Sequence, residues 1–259
     1  MHERLSFFVK RDSPIHRLNP MTKVVLALSL VLIAFSSPWY WTPQAIFLLA
    51  IIPLTFIARV VKEYWSFFLK VILATVSFLF IMQSLFLPGE SRIIFEIFGL
   101  EVTELSAQLA LRNATRIAVM ISSFTILLLT THPSELMSDL TRRGLPGQFA
   151  YVIISSLQII PQMQAKAQTI ISAQRARGLD TQSSFFRRVG AIVPLVGPLV
   201  FGSLVEVEER AIAIEARGFT STRAKTSLHE IPDPSSERVI RWILIALVLV
   251  SITLKLWLS

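Results

Sequence analysis

No cysteine occurs among the 259 residues of this chain, which excludes disulfide scaffolds, thiolate zinc sites and cysteine nucleophiles together. Charge is also scarce. Only 16% of residues are Asp, Glu, Lys or Arg against 53% hydrophobic, and mean hydropathy is +0.61, which excludes an ordinary water-soluble domain and a disordered chain. The nine glycines form neither G-x-x-x-x-G-K-[ST] nor G-x-G-x-x-G, so the chain lacks the phosphate cradle of an ATPase. His2, His16, His132 and His229 are scattered, and no H-E-x-x-H or G-x-S-x-G motif marks a hydrolytic centre. The expectation is a protein without catalytic residues and without a directly bound cofactor or metal.

What is present is apolar sequence in runs long enough to cross a bilayer, for which about 20 residues suffice. The first run starts at Val24 and ends at the aromatic cluster Trp39, Tyr40 and Trp41, whose amphipathic rings suit the headgroup level. Further runs cover residues 45–61, 71–87, 109–129 and 239–258. The fold class expected is therefore all-α, a polytopic membrane protein with about five transmembrane helices and long amphipathic helices outside the bilayer. Residues 1–131 form an N-terminal membrane part with four spans, residues 132–238 a cytoplasmic region, and residues 239–259 a last transmembrane helix.

Charge orients these spans. Lys and Arg number 25 against 17 acids, a formal charge of +8, which in a membrane protein reports cytoplasmic loops beside an anionic leaflet rather than nucleic acid. The first 23 residues hold five Lys or Arg, residues 37–43 hold none, Arg59, Lys62 and Lys70 follow span two, and residues 88–106 hold Arg92 beside four glutamates. This alternation puts the N-terminus inside. Two stretches of the cytoplasmic region, 149–160 and 189–205, are apolar but short or broken by Gly190, Pro194, Gly197, Pro198 and Gly202. Both are expected at the cytoplasmic face, where Pro161 should kink or restart its helix. The five runs contain no Asp or Glu, the residues a proton-coupled carrier places inside the bilayer. Near the outer end of span four, Arg112 and Arg116 lie one turn apart, positioned to snorkel or to meet a membrane partner.

A short internal repeat stands out. Ala-Gln-Arg-Ala-Arg-Gly-Leu at residues 173–179 recurs as Ala-Ile-Glu-Ala-Arg-Gly-Phe at 213–219, each copy closing an amphipathic, helix-like stretch. Gly178 and Gly218 are expected as left-handed C-terminal caps, and the arginines complement the helix dipole. Taken singly, each copy reads as an ordinary helix end. Together, the small Ala176 and Ala216 beside Arg177 and Arg217 suit two tips that enter two equivalent sockets, where a guanidinium fork meets carboxylates or carbonyls.

Three features resemble one family, the T component (EcfT type) of energy-coupling factor (ECF) transporters. These are the paired Ala-Arg-Gly motifs, the stretch His16-Arg17-Leu18-Asn19-Pro20-Met21-Thr22-Lys23, and Thr130-Thr131-His132-Pro133-Ser134-Glu135-Leu136 leading to Gly144-Leu145-Pro146. The resemblance implies a membrane coupling subunit of an ATP-driven importer. It implies that Ala176, Arg177, Gly178, Ala216, Arg217 and Gly218 dock on two ABC ATPase subunits, identical or homologous, which hydrolyse the ATP. It further implies a membrane-embedded S component that captures a vitamin or other micronutrient, with residues 190–202 as a platform for it or a connector packed on the chain's own spans. Asp180 follows the first motif but Thr220 follows the second, so that acid has no shared role. The alternative is a conventional ABC permease forming its own substrate pathway, which needs one docking helix per subunit rather than two tips.

Overall fold

The structure is a computed structural model, and it describes residues 8–9, 11–86, 93–97, 100–178, 185–219, 221 and 231–258. After the one-turn helix α1 (Pro14–Arg17) come α2 (Pro20–Ser36), α3 (Thr42–Ile57) and α4 (Val61–Phe86). The hairpin β1 (Ile93–Ile97) and β2 (Leu100–Thr103) precedes α5 (Glu104–Thr130) and α6 (Pro133–Arg142). Helices α7 (Gly147–Ala176), α8 (Phe185–Ala216) and α9 (Ser235–Leu258) complete the described elements. Contacts divide the chain into two compact units, one of residues 6–145 with 231–259, the other of residues 146–230 with 1–5.

In the first unit, α4, α5 and α9 are each long and apolar enough to cross a membrane, and α2 and α3 are shorter apolar helices. The chain is thus an all-α polytopic membrane protein. Helix α2 starts where Asn19 accepts a hydrogen bond from the Met21 amide at 2.9 Å, with Pro20 in the first turn where its missing N–H costs nothing. It runs 17 residues, about 25 Å at 1.5 Å per residue, short of a hydrocarbon core of about 30 Å. Its last carbonyls therefore need protein partners. Arg116 supplies them, donating to the carbonyls of Ala34 (2.9 Å) and Phe35 (3.3 Å) while its guanidinium lies 5.6 Å from the Phe35 ring centre. Arg116 thus caps a neighbouring helix, a role that neither expectation for the Arg112 and Arg116 pair included.

Packing in this unit follows small residues. Ala110, Ala114, Ala118 and Ser122 recur every fourth residue of α5 and are all buried, a seam that lets helix backbones approach where lipid offers no hydrophobic drive. Tyr64 of α4 reaches this seam, its hydroxyl donating to Ser122 Oγ at 2.8 Å. Ile51, Val60, Tyr64, Ile72, Ala118 and Ile126 belong to one buried cluster.

Two sequence boundaries shift. The third span starts at Val61 rather than residue 71, which puts Lys70 inside a helix, in a widened turn at Phe68–Ile72. The turn before it needs only Ala58, Arg59 and Val60, with Arg59 in the left-handed region at φ 57°. Residues 93–97 and 100–103, expected within a connection, pair as two antiparallel strands with Ile97 opposite Leu100, in keeping with their β-branched and aromatic residues.

In the second unit, α7 runs on through Pro161, so the helix does not restart there, and α8 runs on through Pro194 and Pro198, which interrupt its apolar run. Proline 198 has no N–H to offer the carbonyl of residue 194. Gln174 of α7 donates to that Pro194 carbonyl at 3.4 Å. A partner helix thus re-satisfies a backbone group that proline leaves open.

Candidate functional site

The two helices that carry the Ala-Arg-Gly tips lie antiparallel. Their contacts run in opposite order along the two chains: Tyr151 packs on Phe219 with ring centres 5.3 Å apart, Arg210 donates to Gln162 at 3.5 Å, Ser203 contacts Met163 sulfur at 3.2 Å, and Gln174 meets Pro194. Lys166 and Glu206 form an ion pair between them. The second tip is therefore level with the start of α7 and the first with its end. From Tyr151 to Arg177 the helix axis spans about 39 Å at 1.5 Å per residue. The six candidate residues form two separate tips facing opposite ends of one helix pair.

The two tips share one capping bond, from the glycine amide to the carbonyl three residues earlier. At the second, the Gly218 amide donates to the Glu215 carbonyl (2.9 Å) and the Phe219 amide to the Ile214 carbonyl (3.2 Å), the double bond pattern of a Schellman cap. At the first, the Gly178 amide donates to the Arg175 carbonyl at 3.0 Å. Gly178 and Gly218 have φ of 89° and 68°, the conformation glycine adopts without a Cβ penalty. Ala176, Arg177, Gly178, Ala216, Arg217 and Gly218 are all exposed. Asp180 and Thr220 lie outside the described residues. The apolar stripes leading to the tips are exposed too, Leu157 by 46%, Ile160 by 51%, Leu204 by 60% and Val207 by 61%, faces that water alone would not favour.

The other two motifs act within the first unit. Lys23, 4% exposed, donates to the carbonyls of His16 and Thr130, both at 2.9 Å, and so caps the last turn of α5. His16 Nε2 pairs with the Val9 carbonyl at 3.0 Å and Nδ1 with Ser13 Oγ at 2.8 Å. Burial holds its pKa below the usual 6.5, partly opposed by the Val9 hydrogen bond. His132 caps α6, its Nδ1 accepting from the Ser134 amide at 3.3 Å.

Around Asn19 lies an ionic cluster that motif reading passes over. The Asn19 amide and the Thr22 hydroxyl both donate to Glu237 Oε2, at 2.9 and 2.8 Å, and Asn19 Nδ2 reaches Asp139 Oδ1 at 3.3 Å. Arg241 donates to Thr22 Oγ1 (3.0 Å) and to Asp233 (2.9 Å), while Arg143 pairs with Asp139 at 2.7 Å and Asp233 at 3.3 Å. Partial burial would raise the Asp233 carboxyl, but the Arg241 hydrogen bond and the Arg241, Arg143 and Arg142 charges outweigh it and lower its pKa. Asp139 and Glu237 are buried. The signal available in sequence was only an acid at the start of the last span and an Asp three residues before paired arginines.

The sequence profile of the CbiQ cobalt transport protein family matches residues 11–228. The energy-coupling factor transporter transmembrane protein EcfT of Leuconostoc gelidum is 31% identical over 97% of this chain and 96% of its own length. This chain belongs to the EcfT/CbiQ family. The EcfT proteins of Limosilactobacillus fermentum (31% identical, 89% of this chain, 90% of the relative) and Bacillus subtilis (32%, 86% and 87%) agree. As an EcfT-type protein it is a membrane-embedded transmembrane component of an ECF transporter, a transport subunit.

Proposed function

We propose that this chain couples two ABC ATPase subunits to a membrane-embedded S component, transmitting ATP-driven movement for uptake of a vitamin or other micronutrient. The observation that carries this reading is the pair of exposed Arg-Gly tips, each ending on a glycine of positive φ and set at opposite ends of one antiparallel helix pair. Two tips so placed suit two like sockets on a pair of ATPases on the cytoplasmic side, with Arg177 and Arg217 as the charged contacts and the flanking Ala and Gly permitting close approach. The ATPases hydrolyse the ATP; this chain contributes position and stiffness. The exposed apolar stripes of α7 and α8 suit a membrane partner, for which the S component is the candidate. Substrate choice then belongs to that partner.

Arg177→Ala and Arg217→Ala should each remove a charge-assisted contact of about 1.5–3 kcal/mol, and the double variant should lose the ATPases. The test is a mild-detergent pull-down from native membranes with mass spectrometry of the bound proteins. ATPases and a small membrane protein recovered with wild type, and ATPases lost with the double variant, support the reading. Full ATPase retention by the double variant, or no ATPase with wild type from membranes where such complexes survive, overturns it. Lysine at both positions should rescue only in part, since an ammonium lacks the planar fork.

A further inference from the structure

Residues 146–230 join the other unit covalently at two points, after Leu145 and before Ile231. Both ends start inside the ionic cluster. On the outgoing side, Asp139 of α6, its carboxylate fully buried, holds Arg142 (3.2 Å) and Arg143 (2.7 Å). On the returning side, Arg142 Nη1 donates to the Ile231 carbonyl at 2.9 Å, Asn19 Nδ2 to the Pro232 carbonyl at 3.3 Å, and Asp233 takes Arg241 at 2.9 Å. The outgoing end is stiff as well. Leu145 donates to the Leu140 carbonyl (3.0 Å) and Gly144, at φ 112°, to the Thr141 carbonyl (3.1 Å), a Schellman cap that fixes the chain's direction just before Pro146.

We propose that this cluster is the anchor through which movement of residues 146–230 reaches the membrane helices, with Asp139, Arg142 and Asp233 as positioning residues for transport coupling. The inference rests on the coupling role proposed above. Three carboxylates and three guanidiniums balance in charge and bridge α2, α6 and α9. Such ionic groups are poor sources of stability beside apolar packing, but a fully satisfied network is directional and stiff. A stiff shared anchor makes the two connections move α2 and α9 together; separate, loose connections would let the tips move without the membrane helices following.

The experiment uses the full transporter reconstituted in proteoliposomes, with Asp233→Asn, Arg142→Met and Arg142→Lys compared with wild type. ATP hydrolysis, substrate uptake and ATPase retention are measured on each. Arg142 has a half-exposed side chain (47%), so its variants test the anchor without emptying a buried site. The expected result is retained ATPases and continued hydrolysis, with uptake per ATP falling about tenfold in Asp233→Asn and Arg142→Met, within the usual range for coupling between distant sites. Arg142→Lys should lie between them and wild type. An unchanged uptake per ATP in Asp233→Asn and Arg142→Met overturns the proposal, and so does a parallel loss of uptake, hydrolysis and ATPase retention, which marks the cluster as structural. Failure of the coupling role itself reads differently: wild type then retains no ATPase at all.

Discussion

A Cβ added at Gly178 or Gly218 would meet nothing within 4 Å, so any cost of substitution there lies in the backbone. At φ 68°, Gly218→Val should cost about 1–2 kcal/mol in cap geometry, and Gly218→Asn less, because Asn visits the left-handed region more readily. Hydrogen exchange at the Phe219 amide, which closes the cap on Ile214, should rise in the order Gly, Asn, Val. The glycines were legible in sequence for that reason: a cap is a local event, set by a few adjacent residues. The role of Asn19 was not, because its partners Glu237, Asp139 and the Pro232 carbonyl lie far away in the chain.

At the scale of elements, α5 buries a small-residue seam from Ala110 to Ser122. Ala114→Leu should overpack that seam by about 1–3 kcal/mol, lowering the thermal unfolding midpoint in detergent, while Leu128→Ala on the exposed face (55% exposed) should leave the midpoint nearly unchanged. Helix existence followed from hydrophobic runs, yet helix ends did not always. The third span extends back to Val61, and Glu63 in its first turn, too polar for a hydropathy reading, pairs with Arg11 at 2.6 Å. Pro161 suggested a kink or a restart, and Pro194 and Pro198 an interruption, but α7 and α8 do not end at them; proline's cost depends on whether a neighbour satisfies the freed carbonyl, as Gln174 does for that of Pro194.

For the molecule as a whole, the segment before α2 is tied to the helices partly by His16 in its neutral form. Its pKa lies below 6.5, with burial as the main cause, so between that lowered value and 6.5 the unfolded chain binds a proton that the folded chain does not. Stability should fall as pH drops below about 6.5 and stop falling once the folded-state value is passed. Thermal unfolding between pH 7.5 and about 5 checks this; His16→Gln, which can still donate and accept, should flatten the profile in that interval. The Asp233 carboxylate, lowered from 3.8, should contribute its own loss only in more acid solution, as pH falls through its folded-state value.

By itself the sequence determined the membrane class, the apolar helices and the two arginine tips, because hydropathy and helix caps act over a few neighbouring residues. It also carried the family motifs without revealing their work. Tertiary structure decided that Lys23 closes α5, that Arg116 closes α2, that the tips sit at opposite ends of an antiparallel pair, and that Asp139, Asp233 and Glu237 share one ionic cluster. Each of these depends on groups distant in sequence meeting within hydrogen-bonding range, and no local pattern encodes which distant group will satisfy a buried charge or an open carbonyl.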